Sequence, residues 1–222
     1  MKEGDRSFYE KKFGNKNIKE KACVIPIAIM RKKSTISFNN NKNVLFAAQL
    51  SYGPNKEGLL KLVTSVWNEI AKMGFTLLVA GGNADKRLKE ILKVAPNIKT
   101  FYDPTEKEME KLYEEAFFSI APVFWGSGMK VKIAESLASG IVPIGTPEAF
   151  SGYEIENNKN AFVFEHVEEL CGIFKRINEM TVQDRQNMSR SALALFEKKY
   201  EISTCVSAYK KFIHNTIKGK SD

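Results

Sequence analysis

The stretch FFSIAPVFWGSGMKVKIAESLASGIVPIGT, residues 117–146, decides the fold of this chain of 222 residues. An apolar run at 117–122 precedes the turn residues Gly126-Ser127-Gly128, and a second apolar run covers 141–145. Between them, apolar residues recur at helical spacing over about 129–139. Short apolar strands flanking a helix are typical of parallel sheets that are buried on both faces. The stretch therefore predicts a β–α–β unit.

The same alternation extends over most of the chain. Further apolar strands are predicted at 44–48, 75–80, 98–101 and 161–164, with helices at 57–73, 85–94, 105–116, 166–179, 182–198 and 201–217. This order predicts an α/β fold, a Rossmann-like parallel sheet with helices on both faces. Ligands bind such sheets at the carboxyl ends of the strands. We therefore expect the site in the loops at 49–56, 81–84, 101–105, 122–128 and 145–153.

The first forty residues do not follow this alternation of strands and helices. A short charged helix is predicted at Asp5 to Phe13, and the apolar run Ala22 to Ile29 reads as a strand in which Pro26 weakens pairing. The polar, Asn-rich run 31–42 is the best candidate linker. We therefore expect a separate segment at 1–30 before a domain over residues 43–200.

The composition limits the classes of function. The net charge is +8, but no aromatic residues alternate with the basic ones as nucleic-acid binding requires, so we expect no nucleic-acid partner. Two histidines and three widely spaced cysteines argue against a metal site. No apolar run is long enough for a membrane span, and the N-terminus lacks a signal-peptide pattern. We expect a cytoplasmic protein, whose basic charge is compatible with peripheral contact at the inner face of the membrane.

The segment from Gly126 to Glu135 carries the chemistry. Its glycines let the backbone approach a ligand closely, and the N–H groups of a helix start attract phosphate. Lys130 and Lys132, expected in the first helical turn, oppose the helix dipole unless an anion is present. Glu135 follows at a spacing that suits hydrogen bonds from ribose hydroxyls. The spacing is equally compatible with a tight turn and a surface Lys-Glu pair, and both readings stay open at this point.

A resemblance to a known family favours the first reading. The segments LFAAQLSYGPNKEGLL (45–60), LLVAGG (77–82), the 117–146 stretch and NAFVF (160–164), in this order, resemble the C-terminal domain of retaining GT-B glycosyltransferases, in particular bacterial members of glycosyl transferases group 1 that build polysaccharides and glycolipids. The resemblance covers about residues 43–180. It implies a domain that binds a nucleoside diphosphate sugar as donor and needs neither a cofactor nor a divalent metal.

The family's site residues carry over to the glycine turn and the helix after it. The resemblance implies that the diphosphate is held by Gly126, Ser127, Gly128, Met129, Lys130 and Lys132. It assigns the ribose to Glu135, which matches the final acid of a Glu-x7-Glu pattern. The two lysines would stabilise the leaving diphosphate, and no other catalytic residue is assigned.

Other positions match the pattern in part. Ser127 stands where the family has the first acid of the pair, which puts the usual contact to the donor sugar in doubt. Gln49 stands where a basic residue is frequent. Asn55 matches a loop residue near the donor, and Thr146 a small polar residue after the next strand. Gly81-Gly82 ends a strand at the same edge of the sheet.

The family's reaction transfers a hexose, with retention, from a nucleoside diphosphate to an acceptor hydroxyl. The acceptor expected here is a polysaccharide, a lipopolysaccharide or a glycolipid. The resemblance implies that residues 1–30 are the remnant of an N-terminal acceptor domain and that the helix within 201–222 crosses back to that domain. Either the chain is a fragment or truncated product, or another polypeptide supplies the missing half. Two alternatives remain open at this point, a GT-B nucleotide-sugar epimerase and a non-catalytic nucleotide-binding domain.

Overall fold

A computed structural model describes residues 11, 24, 26–30 and 42–218. Its core is one sheet of six parallel strands in the order β3-β2-β1-β4-β5-β6. The strands are β1 (Asn43–Ala47), β2 (Thr76–Gly81), β3 (Ile98–Tyr102), β4 (Phe118–Ala121), β5 (Val142–Gly145) and β6 (Phe162–Val163). The helices are α1 (Gly53–Ser65), α2 (Trp67–Lys72), α3 (Lys86–Val94), α4 (Glu106–Glu115), α5 (Val131–Ala138), α6 (Leu170–Glu179), α7 (Val182–Lys199) and α8 (Ile202–Lys218). A 3₁₀ turn, Val167–Glu169, precedes α6.

The alternation of side chains along the strands sends apolar groups to both faces of the sheet. Val44 and Phe46 of β1 face a cluster built with α1, α2, α3 and α6. Leu45, between them, faces the opposite cluster, where Leu112 of α4 packs. Helices therefore cover both faces, and the predicted Rossmann-like α/β fold is confirmed.

The region after β1 differs from the prediction of one helix over 57–73. Helix α1 starts earlier, because Pro54 lies in its first turn, where its missing N–H leaves no bond unmade. The helix then ends at Ser65, since Val66 takes a non-helical φ of −133°. The short helix α2 continues from Trp67. No glycine or proline marks this break, so the sequence pattern did not reveal it.

The N-terminal segment contributes little to the described fold. The predicted helix at 5–13 lies outside the described residues except for Lys11, and so does the predicted linker except for Lys42. The predicted strand at 22–29 is wrong for the residues of it that are described, which contain no strand. Ile29 makes a single parallel bridge to Glu201, with its N–H donating to the Tyr200 carbonyl at 3.2 Å. Pro26, which has no N–H to donate, is consistent with such limited pairing.

Candidate functional site

A cleft of about 670 Å³ opens at the carboxyl ends of β1, β2 and β4. The strand order reverses between β1 and β4, and ligands of such sheets bind at this point. The cleft is lined by Ala47, Ala48, Gln49, Tyr52, Asn55, Ala80, Gly81, Gly82, Asp103, Pro104, Met109, Val123, Trp125, Gly126, Ser127, Met129, Lys130, Val131, Lys132 and Glu135. All the predicted site residues except Gly128 and Thr146 are therefore brought together here.

The floor of the cleft requires glycine at the end of β2. A Cβ on Gly81 would lie 1.7 Å from the carbonyl oxygen of Ala48, which is an impossible contact. A Cβ on Gly82 would lie 2.7 Å from the Asp103 carboxylate. Because the ends of β1 and β2 pack closely, Gly81 excludes any side chain, whereas a side chain at Gly82 would require Asp103 to move.

The glycine turn before α5 is longer than the sequence predicts. Gly126 and Gly128 adopt φ angles of 141° and 74°, which disfavour any side chain. Helix α5 begins only at Val131, so the prediction of a helix from about Met129 is wrong. Lys130, with an extended ψ of 112°, is the residue that precedes the first turn, and no side chain caps the helix. Lys132 lies inside the first turn, as expected.

Lys130 is fixed between the turn and a neighbouring loop. Its ammonium donates to the carbonyl of Gly128 at 3.0 Å and forms an ion pair with Glu148, which follows β5. Its own carbonyl accepts from the Tyr153 hydroxyl at 2.8 Å. The side chain is only 11% exposed. The charge therefore lies inside the cleft wall and is partly neutralised by one carboxylate.

Lys132 has no carboxylate partner within ion-pair distance among the described residues. Its ammonium donates to the Asn55 side-chain oxygen at 2.7 Å, and the Asn55 amide donates to the Gln49 carbonyl at 3.0 Å. Burial and, to a smaller extent, the nearby charge of Lys130 lower the pKa of Lys132 to about 8, while Glu135 partly opposes the shift. The fold thus holds a half-buried cation that an anion in the cleft would stabilise.

Glu135 projects from α5 toward α4. Its carboxylate accepts a hydrogen bond from the Tyr113 hydroxyl at 3.0 Å. Burial raises the pKa of Tyr113, and the charge of Glu135 raises it further, so the phenol stays protonated and remains a donor. One carboxylate oxygen is thereby oriented by the protein. The carboxylate can still accept further hydrogen bonds from a ligand in the cleft.

Thr146 lies in the core, outside the cleft lining. Its hydroxyl donates to the Val123 carbonyl and accepts from the N–H of Ala149 at 3.1 Å, so it ties the loops after β4 and β5 together. Gly128 does not line the cleft either, but its carbonyl accepts a hydrogen bond from the ammonium of Lys130, which does.

The residues in or beside the cleft that sequence reasoning did not single out include five polar or aromatic ones: Tyr52, Asp103, Tyr113, Trp125 and Glu148. Tyr52, Asp103, Trp125 and Glu148 occupy loops that follow strands, which is a signal that could have found them. Tyr113 gave no such signal, because it lies on a helix whose facing partner depends on the tertiary fold.

Among residues 42–218 and the few described before them, no group of three or more His, Cys, Asp or Glu side chains could hold a metal ion. None of the described helices is both long and apolar enough to cross a membrane.

Comparison with known proteins adds a family and a set of similar folds. The family model described as "Glycosyl transferases group 1" matches residues 41–179, more than half of the chain. No curated protein sequence is significantly similar to the chain.

Several solved structures share the fold. TarM of S. aureus, in complex with fondaparinux, alpha-GlcNAc-glycerol and UDP, superposes with a TM-score of 0.76 at 13% identity, covering 96% of this chain and 42% of TarM. Anabaena HepE, in complex with UDP and glucose, superposes with a TM-score of 0.62 at 13% identity, covering 96% of this chain and 53% of HepE. The C-terminal domain of LpcC from Francisella tularensis superposes with a TM-score of 0.57 at 15% identity, covering 80% of this chain and 89% of that domain. The chain thus spans about half of the length of TarM and HepE.

Proposed function

Because the chain belongs to the glycosyl transferases group 1 family, we propose that its cleft binds the nucleoside diphosphate sugar from which a hexose is transferred. On this proposal the chain is the C-terminal, donor-binding half of a GT-B enzyme, and transfer retains the anomeric configuration. The acceptor is a saccharide or a lipid-linked saccharide of polysaccharide or glycolipid biosynthesis. TarM and HepE, which have this fold, were solved with UDP bound.

The half-buried ammonium of Lys132, which lines the cleft without a carboxylate partner among the described residues, carries the proposal. Removing a charge from water is costly unless a partner compensates, and among the described residues the ammonium has a hydrogen bond to the neutral amide of Asn55 and a cation–π contact with the Phe46 ring at 5.4 Å, but no carboxylate. A diphosphate placed beside Lys132 and Lys130 supplies the missing negative charge. The N–H groups at the start of α5, which no side chain caps, add to the attraction.

Each part of the donor has a matching region of the cleft. We assign the diphosphate to the turn at 126–130 and to Lys132, and the ribose hydroxyls to Glu135. The base then lies over the end of β3, where Asp103 lines the cleft. No cofactor or metal has a role in this assignment. When the bond to the sugar breaks, charge develops on the diphosphate, and the fixed lysines and N–H groups stabilise it without rearranging.

Helix α8 supports the proposal of a second domain. It exposes an apolar stripe along one face, formed by Ile202, Val206, Tyr209 and Ile213. Residues spaced by three and four positions line one side of a helix, so the stripe is continuous. We propose that this face packs against an acceptor-binding domain that completes the active site, and that residues 1–30 belong with that domain. The net charge of +8 fits action in the cytoplasm at the inner face of the membrane.

Calorimetric titration with UDP, GDP, ADP and CDP, and then with the corresponding nucleotide sugars, tests the proposal. We expect one diphosphate to bind well below millimolar concentration and its nucleoside to bind far more weakly. We also expect little or no sugar transfer by the chain alone. The absence of binding by any of these ligands at millimolar concentration contradicts the proposal.

The replacement of the first acid by Ser127 favours a second candidate, a nucleotide-binding domain without catalysis. The acid expected beside the donor sugar is absent from this position. Adding the acceptor-binding polypeptide separates the two candidates, because only the enzyme half gains transferase activity. Conversion of the nucleotide sugar without any acceptor would instead indicate an epimerase.

A further inference from the structure

Two aromatic side chains stand at the mouth of the cleft. Tyr52, just before α1, and Trp125, in the loop after β4, are each 51% exposed and both line the cleft. Large aromatic side chains that remain this accessible at the rim of a cavity are typical of ligand contacts. The other tryptophan of the chain, Trp67, is completely buried.

Trp125 is held in one orientation although it is exposed. Its indole N–H donates to the Glu57 carboxylate of α1 at 2.7 Å. Beneath the ring lies Gly53, where an added Cβ would be 3.4 Å from two ring carbons. The indole therefore rests on the backbone of α1 with its N–H bonded, and the aromatic pair adds an apolar surface to the mouth of the cleft.

This aromatic pair borders the basic part of the cleft. A Cβ placed on Gly126 would lie 3.9 Å from the Lys130 ammonium and 3.8 Å from the Tyr52 hydroxyl. Glu135, in contrast, is bonded to Tyr113 on α4, and α4 covers the opposite face of the sheet from α1. A ligand with its ribose at Glu135 and its diphosphate beside Lys130 thus points its far end toward Tyr52 and Trp125.

We propose that Trp125, Tyr52 and Glu57 form a platform for a hexose ring, and this inference rests on the proposed function of the cleft. A pyranose presents C–H groups on one face, which pack against an aromatic ring, and hydroxyls at its edge, for which the Glu57 carboxylate is an acceptor. The ring belongs either to the donor or to the acceptor saccharide, whose chemistry is the same. The platform supplies a contact to the sugar that does not depend on Ser127, the residue that stands where the family has an acid.

Tryptophan fluorescence tests the platform, because Trp67 is inaccessible to acrylamide and Trp125 is not. The probes are UDP against UDP-glucose, GDP against GDP-mannose, and the free saccharides methyl α-glucoside and maltotriose. A sugar on the platform shields Trp125 from quenching. Shielding by the nucleotide sugar beyond that by its diphosphate identifies the donor's sugar. Shielding by the free saccharides identifies the acceptor's.

The variant Trp125→Ala, titrated by calorimetry, completes the test. We expect it to bind diphosphates as the wild type does and to lose about five- to tenfold in affinity for the ligand that shielded Trp125. The control Trp125→Phe keeps an aromatic face and should retain most of that affinity. Equal weakening of diphosphate and nucleotide sugar overturns the platform and assigns the aromatic pair to the nucleotide. Unchanged affinity for every ligand also overturns it.

The two proposals fail in different ways. If no diphosphate binds to the wild type, the proposed donor function fails, and the free saccharides still report on Trp125. If diphosphates bind but neither nucleotide sugars nor saccharides depend on Trp125, only the platform fails.

Discussion

The helices at the ligand edge of the sheet begin in two different ways. Helices α3 and α4, which follow β2 and β3, are closed by side chains: Asp85 accepts from the N–H of Leu88 at 2.8 Å, and Thr105 forms a reciprocal capping box with Glu108. Helices α1 and α5, which follow the central strands β1 and β4, have no side-chain cap and no acidic residue in the first turn.

This difference separates the starts of α3 and α4 from the starts of α1 and α5, which adjoin the lysines of the cleft. A side-chain oxygen at the start of a helix satisfies free N–H groups and stabilises the helix by about 1 kcal/mol. Helix α5 forgoes that stabilisation and has Lys130 where a cap is expected. The contrast is explained if an anionic ligand supplies the missing acceptor and negative charge at α5.

The largest effect is expected from Lys132→Met, which removes the half-buried cation in the first turn of α5. Affinity for the preferred nucleoside diphosphate should fall by about 1.5 to 3 kcal/mol, the range for a hydrogen bond to a charged group. Affinity for the nucleoside should barely change. Calorimetric titration with both ligands measures the two affinities. The matched control is Lys72→Met, which replaces an exposed lysine that pairs with Glu69. Equal losses for nucleoside and diphosphate would exclude a phosphate role for Lys132.

Glu135→Gln should give the next largest effect, about 1 to 3 kcal/mol. Because we assign the ribose to Glu135, the loss should be the same for nucleoside and diphosphate, unlike the loss with Lys132→Met. Tyr113→Phe removes the hydrogen bond to the Glu135 carboxylate but leaves the carboxylate in place. It should therefore lower the affinity for both ligands less than Glu135→Gln does. Thermal unfolding serves as the control. A drop in melting temperature with unchanged binding would make Glu135 structural.

The pH dependence of binding is smaller and depends on Lys132. Its pKa of about 8 in the free protein means that the charged form is lost above that pH. Diphosphate affinity should therefore decrease roughly fivefold between pH 8 and pH 9, with proton uptake on binding. Calorimetry in buffers of different ionisation enthalpy detects that uptake, and Lys132→Met should abolish the dependence.

The same ionisation affects stability in the opposite direction. Between pH 8 and the ordinary lysine pKa of 10.5, the unfolded chain binds more protons than the folded one. The contribution of Lys132 to the free energy of unfolding therefore rises with pH through this window. Chemical denaturation at both ends of the window measures it. A fall in affinity without this gain in stability would point to another titrating group.

The smallest effect on binding is expected at a capped helix. Thr105→Ala removes the side-chain cap of α4 and should lower the free energy of unfolding by about 1 kcal/mol. Diphosphate affinity should not change, because this helix start already has its own acceptor. Urea denaturation and calorimetry measure the two quantities. A marked loss of diphosphate affinity would contradict the claim that only the uncapped helix starts take part in binding.

The sequence pattern predicted most of the fold for physical reasons that are local. Short apolar strands separated by amphipathic helices indicate a buried parallel sheet, and two of the predicted helices begin in the structure with capping boxes at Thr105 and Thr181. The break at Val66 and the extended conformation of Lys130 could not be predicted, because tertiary packing overrides the helical spacing there.

The site was predictable only in part. The spacing of the glycines and lysines at 126–132 was compatible both with an anion site and with a tight turn beside a surface Lys-Glu pair, and the family resemblance favoured the anion site. The pairs Tyr113–Glu135 and Lys130–Glu148 join residues 22 and 18 positions apart on different elements, so only the fold brings them together. The environment that lowers the pKa of Lys132 likewise depends on burial, which a sequence pattern does not report.

A crystal structure with the preferred nucleoside diphosphate bound tests the central claim most directly. We predict that the two phosphates contact the turn at 126–130 and the Lys132 ammonium, with the ribose hydroxyls on Glu135. Phosphates bound instead at the starts of α3 or α4, or a ribose away from Glu135, would contradict the account.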